Sequence, residues 1–337
     1  MTPKGEGVMP SEGSLGLRVP PPPAVSVVIP TYERQDRIPD LLTELAKQTL
    51  GSKHFEVIVV DDCSSSDIVG LVEQLAGDLP YRVRALRTPY NDGPAAARNL
   101  GWKGATADLV AFVDDDCMPD PGWLEAGVSA LKRDPTVGVV QGRTCAPEGV
   151  DVATLPDWSL WRVVDESTPF FEGCNLFFRR CALEVTGGFD EDIHFYGEDT
   201  AAGWRVLDAG WNRAFASDAV VTHEIQPRGW RWHIRNGLTE QHIVQVAAQH
   251  RGFRNEGFWR PWAFRREDAA FVLALLGVTL GLRFRPALVL AAPYLWWRVP
   301  PIGHANFLRL CLEIPAVDAA RMVGQVRGAV SNRVLVI

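Results

Sequence analysis

From Ala24 onward the chain alternates short apolar runs with amphipathic stretches. Val25 to Ile29 is a nearly continuous apolar run, the pattern of a strand buried on both faces of a parallel sheet. Arg37 to Leu50 follows with helical spacing: Ile38, Leu41, Leu42, Leu45 and Ala46 share a face, and Gly51 is placed to end the helix. The pattern then predicts a strand over Phe55 to Val60, a turn over Asp61 to Ser66, a helix over Ile68 to Ala76 and a strand over Val83 to Leu86. A helix over Pro94 to Gly104 and a fourth strand over Leu109 to Val113 complete this half. Regular alternation of strand and helix, with no internal repeat, predicts an α/β fold around a mixed, mostly parallel sheet. Ligands of such sheets bind beyond the carboxyl ends of the strands. Thr31-Tyr-Glu33, Asp61-Asp62 and Asp114-Asp-Asp116 are therefore the segments expected to carry chemistry.

Three consecutive carboxylates directly after a strand repel one another, and a cation between them favours their ionised form. Hard divalent cations take oxygen ligands and keep phosphate oxygens and water in their shell, so the triplet suits Mg2+ or Mn2+ holding a diphosphate. An exposed acidic turn is the plainer alternative. Glu198 and Asp199 precede a helix expected over Thr200 to Leu207, where the helix dipole would favour the ionised acids. Read alone, they are a helix N-cap pair. His223 follows a strand-like Ala219 to Thr222.

Several motifs in order give these residues a context. SVVIPTYERQDRIPDLLTELAKQTL, FEVIVVDDCSSSD and NDGPAAARNLGWKGATADLVAFVDDDCMPDPGWL are followed by GCNLFFRRCALEVTGGFDEDIHFYGEDTAAGWRVLDAGW. Together, over about Ala24 to Ile225, they resemble the family 2 glycosyltransferases, which have the GT-A fold and invert the anomeric carbon. The resemblance implies that Pro30, Thr31, Tyr32 and Glu33 hold the nucleotide's base and ribose, and that Asp62 accepts from a base N–H. Gly93 would turn the chain tightly, and Arg98 would reach a phosphate or the base, a structural Arg–Asp pair being the competing role. By the same resemblance, Asp114 and Asp116 are the ends of a DxD motif. Asp116 would ligate the metal directly, Asp114 would contact the ribose or a metal-bound water, and Asp115 would orient the sugar hydroxyls. Asp199 would be the catalytic base, Glu198 its neighbour, and His223 a further metal ligand. Gly173, Cys174 and Asn175 match a loop near the acceptor, with Cys174 departing from the commoner small residue.

The donor implied is a nucleotide-diphosphate sugar, and the acceptor a glycan, glycolipid or lipid-linked hydroxyl. Two other classes compete: a nucleotide-sugar-binding protein without catalysis, and a sugar-phosphate nucleotidyltransferase. The second carries a Gly-rich basic loop where this chain has Thr-Tyr-Glu-Arg. The absence of GxGxxG after the first strand argues against a dinucleotide oxidoreductase.

Composition changes the picture mainly beyond residue 225. The chain of 337 residues has a formal net charge of -7, which speaks against a general nucleic-acid binder. From Gln226 onward, however, there are fifteen Arg, no Lys and six acidic residues. Ala269 to Leu282 is apolar and uncharged but short for a bilayer span. Arg283 and Arg285 interrupt it, and a second apolar run from Pro286 ends in Trp296-Trp297. Trp and Arg mixed in this way suit a membrane interface. We expect residues 226–337 to be helical and to touch a membrane peripherally, at the inner face of the cell membrane of a cytoplasmic protein. A soluble helical bundle, a homodimer interface or a true span is the alternative. Gln226-Pro-Arg-Gly-Trp230 only loosely resembles the QxxRW motif of processive synthases, and Arg228, Arg231 or Arg235 could close over a diphosphate. Six scattered Cys read as reduced thiols, without zinc-ligand spacing. Residues 1–23 lack an apolar core and read as a flexible tail ending in Pro20 to Pro23, rather than a signal peptide.

Overall fold

The computed structural model describes residues 22–151, 154–193, 196–299, 304 and 306–336. The expected tail lies outside them except for Pro22 and Pro23. The first half follows the apolar pattern closely. Strands β1 (Val25–Thr31), β2 (Phe55–Asp61), β3 (Arg82–Arg87) and β4 (Leu109–Val113) alternate with helices α1 (Ile38–Leu45), α2 (Ile68–Leu75) and α3 (Pro94–Gly104). Every residue of β1, β2 and β4 is buried, in keeping with their nearly continuous apolar runs, and the buried Ser26 hydroxyl donates to Glu56. The second half adds β5 (Cys117–Pro119), α4 (Trp123–Arg133), β6 (Val137–Cys145), β7 (Asn175–Arg179), α5 (Arg180–Thr186), α6 (Glu198–Asp208) and β8 (Asn212–His223).

The eight strands form one sheet in the order β3-β2-β1-β4-β7-β6-β8-β5. β3, β2, β1 and β4 are parallel, and β7 runs antiparallel to β4 and β6. β8 is parallel to β6, and the short β5 returns antiparallel to β8. That return pairs Cys117 with His223, which carries the end of the acidic loop after β4 to the end of β8.

Helix α1 stops five residues before the predicted end at Leu50. Tertiary bonds pull the chain away: the Gln48 amide donates to the Asp120 carbonyl at 2.7 Å and accepts from the Leu124 N–H at 2.9 Å. The Thr49 N–H donates to the Pro121 carbonyl at 2.9 Å. Gly51, with φ +82°, starts a short 3-10 turn instead of capping the helix.

Beyond β8 the chain is helical: α7 (Trp230–Leu238), α8 (Gln241–Gln249), α9 (Arg251–Gly257), α10 (Arg266–Gly281), a 3-10 segment over Arg285–Ala291, α11 (Ala292–Arg298) and α12 (Phe307–Asn332). The expected division at residue 225 is not a packing boundary. Ile243, Val246, Phe253 and Phe258 belong to the same apolar core as Phe112, Phe171, Leu176 and Trp204. Buried charges tie the outer helices together. Glu240 accepts from Arg265 at 2.9 Å, Arg321 at 3.0 Å and Gln325 at 2.6 Å. Asp318 accepts from Arg298 and the Tyr294 hydroxyl. A buried acid paired so completely is tolerated, whereas one left alone is costly.

Candidate active site

A cleft of about 1130 Å³ opens beyond the carboxyl ends of β1, β2 and β4. Its volume slightly exceeds the usual range for a single small ligand, leaving room for two reactants. Pro30, Thr31, Tyr32 and Arg34 line it after β1, Asp62 after β2, and Asp114, Asp115 and Asp116 after β4. Gly173, Cys174, Glu198, Asp199 and His223 reach it from the second half of the sheet.

Arg98, on α3, joins the two acidic groups. It is almost fully buried and donates to Asp114 Oδ1 and Glu198 Oε1, both at 2.8 Å. Surrounding carboxylates hold its positive charge against the cost of burial. The structural Arg–Asp pairing is therefore present, between two acids of the cleft. Asp199 lies beside it in the first turn of α6. Its Oδ2 accepts from the Gly173 N–H and its Oδ1 from the Thr200 N–H, each at 2.7 Å. These bonds favour the carboxylate, as expected at a helix start. Burial and the adjacent Glu198 outweigh them, and the pKa is pushed up to about 7. A carboxyl poised there can take up or release a proton near neutral pH.

Asp116 sits among donors. Arg34 Nη1 is 3.3 Å from its Oδ2 and 3.5 Å from Asp115 Oδ1. The Gln226 amide also donates to Asp116, and Arg228 in turn to Gln226. Asp115 is buried, and burial pushes its pKa up to about 7 against the pull of Arg34. His223 Nδ1 lies 2.7 Å from the Glu224 carbonyl, which can only accept, so Nδ1 carries the proton. Nε2, the other ring nitrogen, lies 3.8 Å from Asp116 Oδ1. Ligand atoms of Asp116, Cys117 and His223 lie within 4.8 Å of one another. The Cys117 thiol is buried, and its pKa is raised by the neighbouring Cys174 thiol and by burial; its soft sulfur is in any case a poor match for a hard, oxygen-seeking cation. A carboxylate oxygen and an imidazole nitrogen remain; the oxygen suits Mn2+ or Mg2+, and the nitrogen favours the transition metal Mn2+ of the two.

Other expected residues take different places. Glu33 does not line the cleft: its carboxylate accepts from the Ser65 N–H at 2.6 Å and the Ser65 hydroxyl at 2.8 Å, so the expected ribose contact gives way to a brace between two loops. Asn175 does not line it either. Its amide donates to the Arg143 and Ala219 carbonyls and accepts from Trp123 Nε1, all at 2.8 Å, stitching β7 to its neighbours instead of meeting an acceptor. Asp62 does reach the cleft, but it accepts from the Thr88 hydroxyl and the Gly93 N–H at 2.9 Å, and burial raises its pKa. Gly93 has φ +87° and starts α3, the tight turn expected of it. Tyr32 is half exposed at the rim, and Cys174 is buried with its sulfur 3.7 Å from the Thr144 hydroxyl.

Sequence reasoning missed Arg34, Phe170, Glu172, Tyr196, Phe264 and Arg265, all of which line the cleft. Arg34 directly follows a segment already singled out, so adjacency could have found it. Phe264 and Arg265 enter from the helical region through packing, and no local signal marks them.

A sheet of this order, with an acidic loop after β4 facing an acidic helix start, has the GT-A architecture. The chain belongs to glycosyl transferase family 2. Residues 26–187 match the "Glycosyl transferase family 2" profile and residues 109–303 the "Glycosyl transferase family group 2" profile. A pre-mycofactocin glycosyltransferase of Mycobacterium tuberculosis is 31% identical over 242 residues, 67% of this chain and 48% of that protein. Glycosyltransferase AglE of Haloferax volcanii is 31% identical over 212 residues, 61% of this chain and 69% of that protein. The chain thus spans about half the length of the mycobacterial relative. Among solved structures, the mannosyltransferase PcManGT from Pyrobaculum calidifontis, in complex with GDP-Man and Mn2+, superposes with TM-score 0.58 at 26% identity. That match covers 93% of this chain and 87% of the other.

Proposed function

We propose that the chain transfers a sugar from a nucleoside-diphosphate sugar to an acceptor hydroxyl, with inversion at the anomeric carbon. The observation that carries this reading is the Arg98 bridge, which brings the acidic loop after β4 and the start of α6 into one cleft. Tyr32, Asp114 and Asp115 line the cleft; Tyr32 would offer an aromatic face to a nucleobase, Asp114 would contact the ribose, and Asp115 the sugar hydroxyls. Asp116 and His223 would hold a divalent cation, which when bound stabilises charge on the leaving diphosphate. PcManGT, solved with GDP-Man and Mn2+, supports this assignment by likeness.

Asp199 is the base. With a pKa raised to about 7, its carboxylate is basic enough to take the acceptor proton as the hydroxyl oxygen attacks from the face opposite the diphosphate. The Gly173 and Thr200 N–H groups fix its orientation, and Glu198, held by Arg98, keeps its basicity high. Arg34, placed between Asp115 and Asp116, would move onto the diphosphate when the donor enters. A lipid-linked acceptor fits the apolar wall that Phe170 and Phe264 give the cleft.

The test offers the protein a panel of nucleotide sugars with Mn2+ and measures nucleoside diphosphate release. Release with one donor class, abolished in Asp199→Asn while the donor still raises the melting temperature, is the expected result. Undiminished turnover in Asp199→Asn would refute the base. Pyrophosphate release from a nucleoside triphosphate would point to a nucleotidyltransferase.

A further inference from the structure

The stretch from Ala269 to Leu312 contains four Arg and not one Asp or Glu. Residues 269–298 of it fold as a helical hairpin: α10 runs out, the 3-10 segment turns back, and α11 follows. Two glycines make the hairpin tight. A Cβ on Gly277 would lie 2.9 Å from the Ala287 carbonyl oxygen, and one on Gly281 would lie 2.6 Å from a Leu288 methyl. Close backbone packing leaves the larger side chains facing outward. At about 100° per residue, exposed Leu273, Leu275, Leu276, Val278 and Leu280 sweep more than half the circumference of α10. At the tip Leu282 is 84% and Phe284 64% exposed, and on α11 Trp296 is 84% exposed. Arg283 and Arg285 flank Phe284, are exposed, and have no carboxylate partner among the described residues.

We propose that this hairpin is a membrane-docking wedge that lies in the interface of an anionic lipid bilayer. Charge complementarity selects the occupant: Arg298 and Arg309 are paired with Asp318 and Glu313, but the unpaired guanidinium groups of Arg283 and Arg285, at the tip of an acid-free hairpin, match lipid phosphates, which Arg binds through two parallel hydrogen bonds. The shape of the patch argues the same way. A protein partner with one flat face would cover one side of α10, whereas liquid hydrocarbon wets an apolar arc of any width. No helix among the described residues is long and apolar enough to cross a membrane. The 16 residues of α10 reach about 24 Å, less than the hydrocarbon thickness, so the wedge lies along the surface with its Arg side chains turned up to the headgroups. Arg265, immediately before α10, lines the cleft, so the docking element and the acceptor wall are joined end to end. This proposal does not rest on the assignment of Asp199.

The test is flotation of the whole chain with vesicles of phosphatidylcholine alone or mixed with phosphatidylglycerol. The expected result is binding to the mixed vesicles that weakens at high salt. Leu282→Asp with Phe284→Asp should lower partitioning about tenfold or more, since each buried apolar side chain contributes substantially to interfacial binding. Arg283→Glu with Arg285→Glu should abolish the preference for anionic lipid. Equal thermal stabilisation by nucleoside diphosphate in all three proteins shows that the variants fold. For the unmutated chain, quenching of Trp fluorescence by brominated lipid gives an independent readout through Trp296. The proposal is overturned by absence of flotation with either vesicle, or by unchanged flotation of the tip variant. A dimer that ignores vesicles and dissociates in the tip variant would overturn it in favour of a second copy.

Discussion

The backbone N–H of Gly173 donates to Asp199 Oδ2 at 2.7 Å, so the loop before β7 fixes the orientation of the proposed base. The contact requires glycine for reasons of space. A Cβ at Gly173 would stand 2.7 Å from Arg98 Nη2 and 3.3 Å from Asp199 Cβ. Gly173→Ala should therefore lower turnover by about tenfold or more, because a small displacement of a base is costly. Donor affinity, read by thermal shift, should change much less.

The raised pKa of Asp199 predicts opposite pH trends for rate and stability. The base works when deprotonated, so kcat/KM should rise with pH and level off above about 7. In the unfolded chain this carboxyl loses its proton near pH 4, whereas the folded protein keeps it until about 7. Between those values the native state binds more protons, and the stability it gains is lost as pH rises. Asp199→Asn removes that dependence. Its melting temperature should exceed that of the unmutated chain at pH 8, and the difference should shrink at pH 5.

Arg98→Met should be severe for both folding and activity. It leaves Glu198 buried beside Asp199 with no positive charge against it, and it frees Asp114. Removing one partner of such a buried pair costs about 3–5 kcal/mol. Urea denaturation should show that loss. A disruption confined to the exposed rim would instead fall within about 1 kcal/mol.

Asn175 provides the converse. Asn175→Ala breaks three hydrogen bonds, two of them fully buried, that join β7 to Arg143, Ala219 and Trp123. Each orphaned buried group costs about 1–3 kcal/mol, so the variant should lose stability markedly. The fraction that remains folded should keep an unchanged KM for the acceptor, because this side chain does not face the cleft.

Local pattern and distant contact divide what can be read from the chain. β1, β2 and β4 are legible because a strand buried on both faces must be mostly apolar, the interior exceptions Ser26 and Glu56 bonding to each other, and their carboxyl ends locate the acids by topology alone. The family motifs added Asp199 and His223, which periodicity alone leaves as a cap and a lone histidine. Glu33 and Asn175 fall outside the cleft because hydrogen bonds to Ser65 and to Trp123, Arg143 and Ala219 claim their side chains. Such partners lie 32 or more residues away in sequence, beyond any motif. Phe264 and Arg265 were missed for the same reason: only the packing of the later helices brings them to the cleft.

The core that runs across residue 225 also limits how this protein can be divided. Trp204 rests on Phe253 and carries Phe171 on its other side, and Gly197, the residue before the acidic pair, packs on Ile243. A fragment cut after β8 would expose that seam and lose the support beneath the start of α6. Grafting the later helices from another family member would likewise disturb the proposed base, so exchange of acceptor specificity by swapping segments has to carry the seam residues with it.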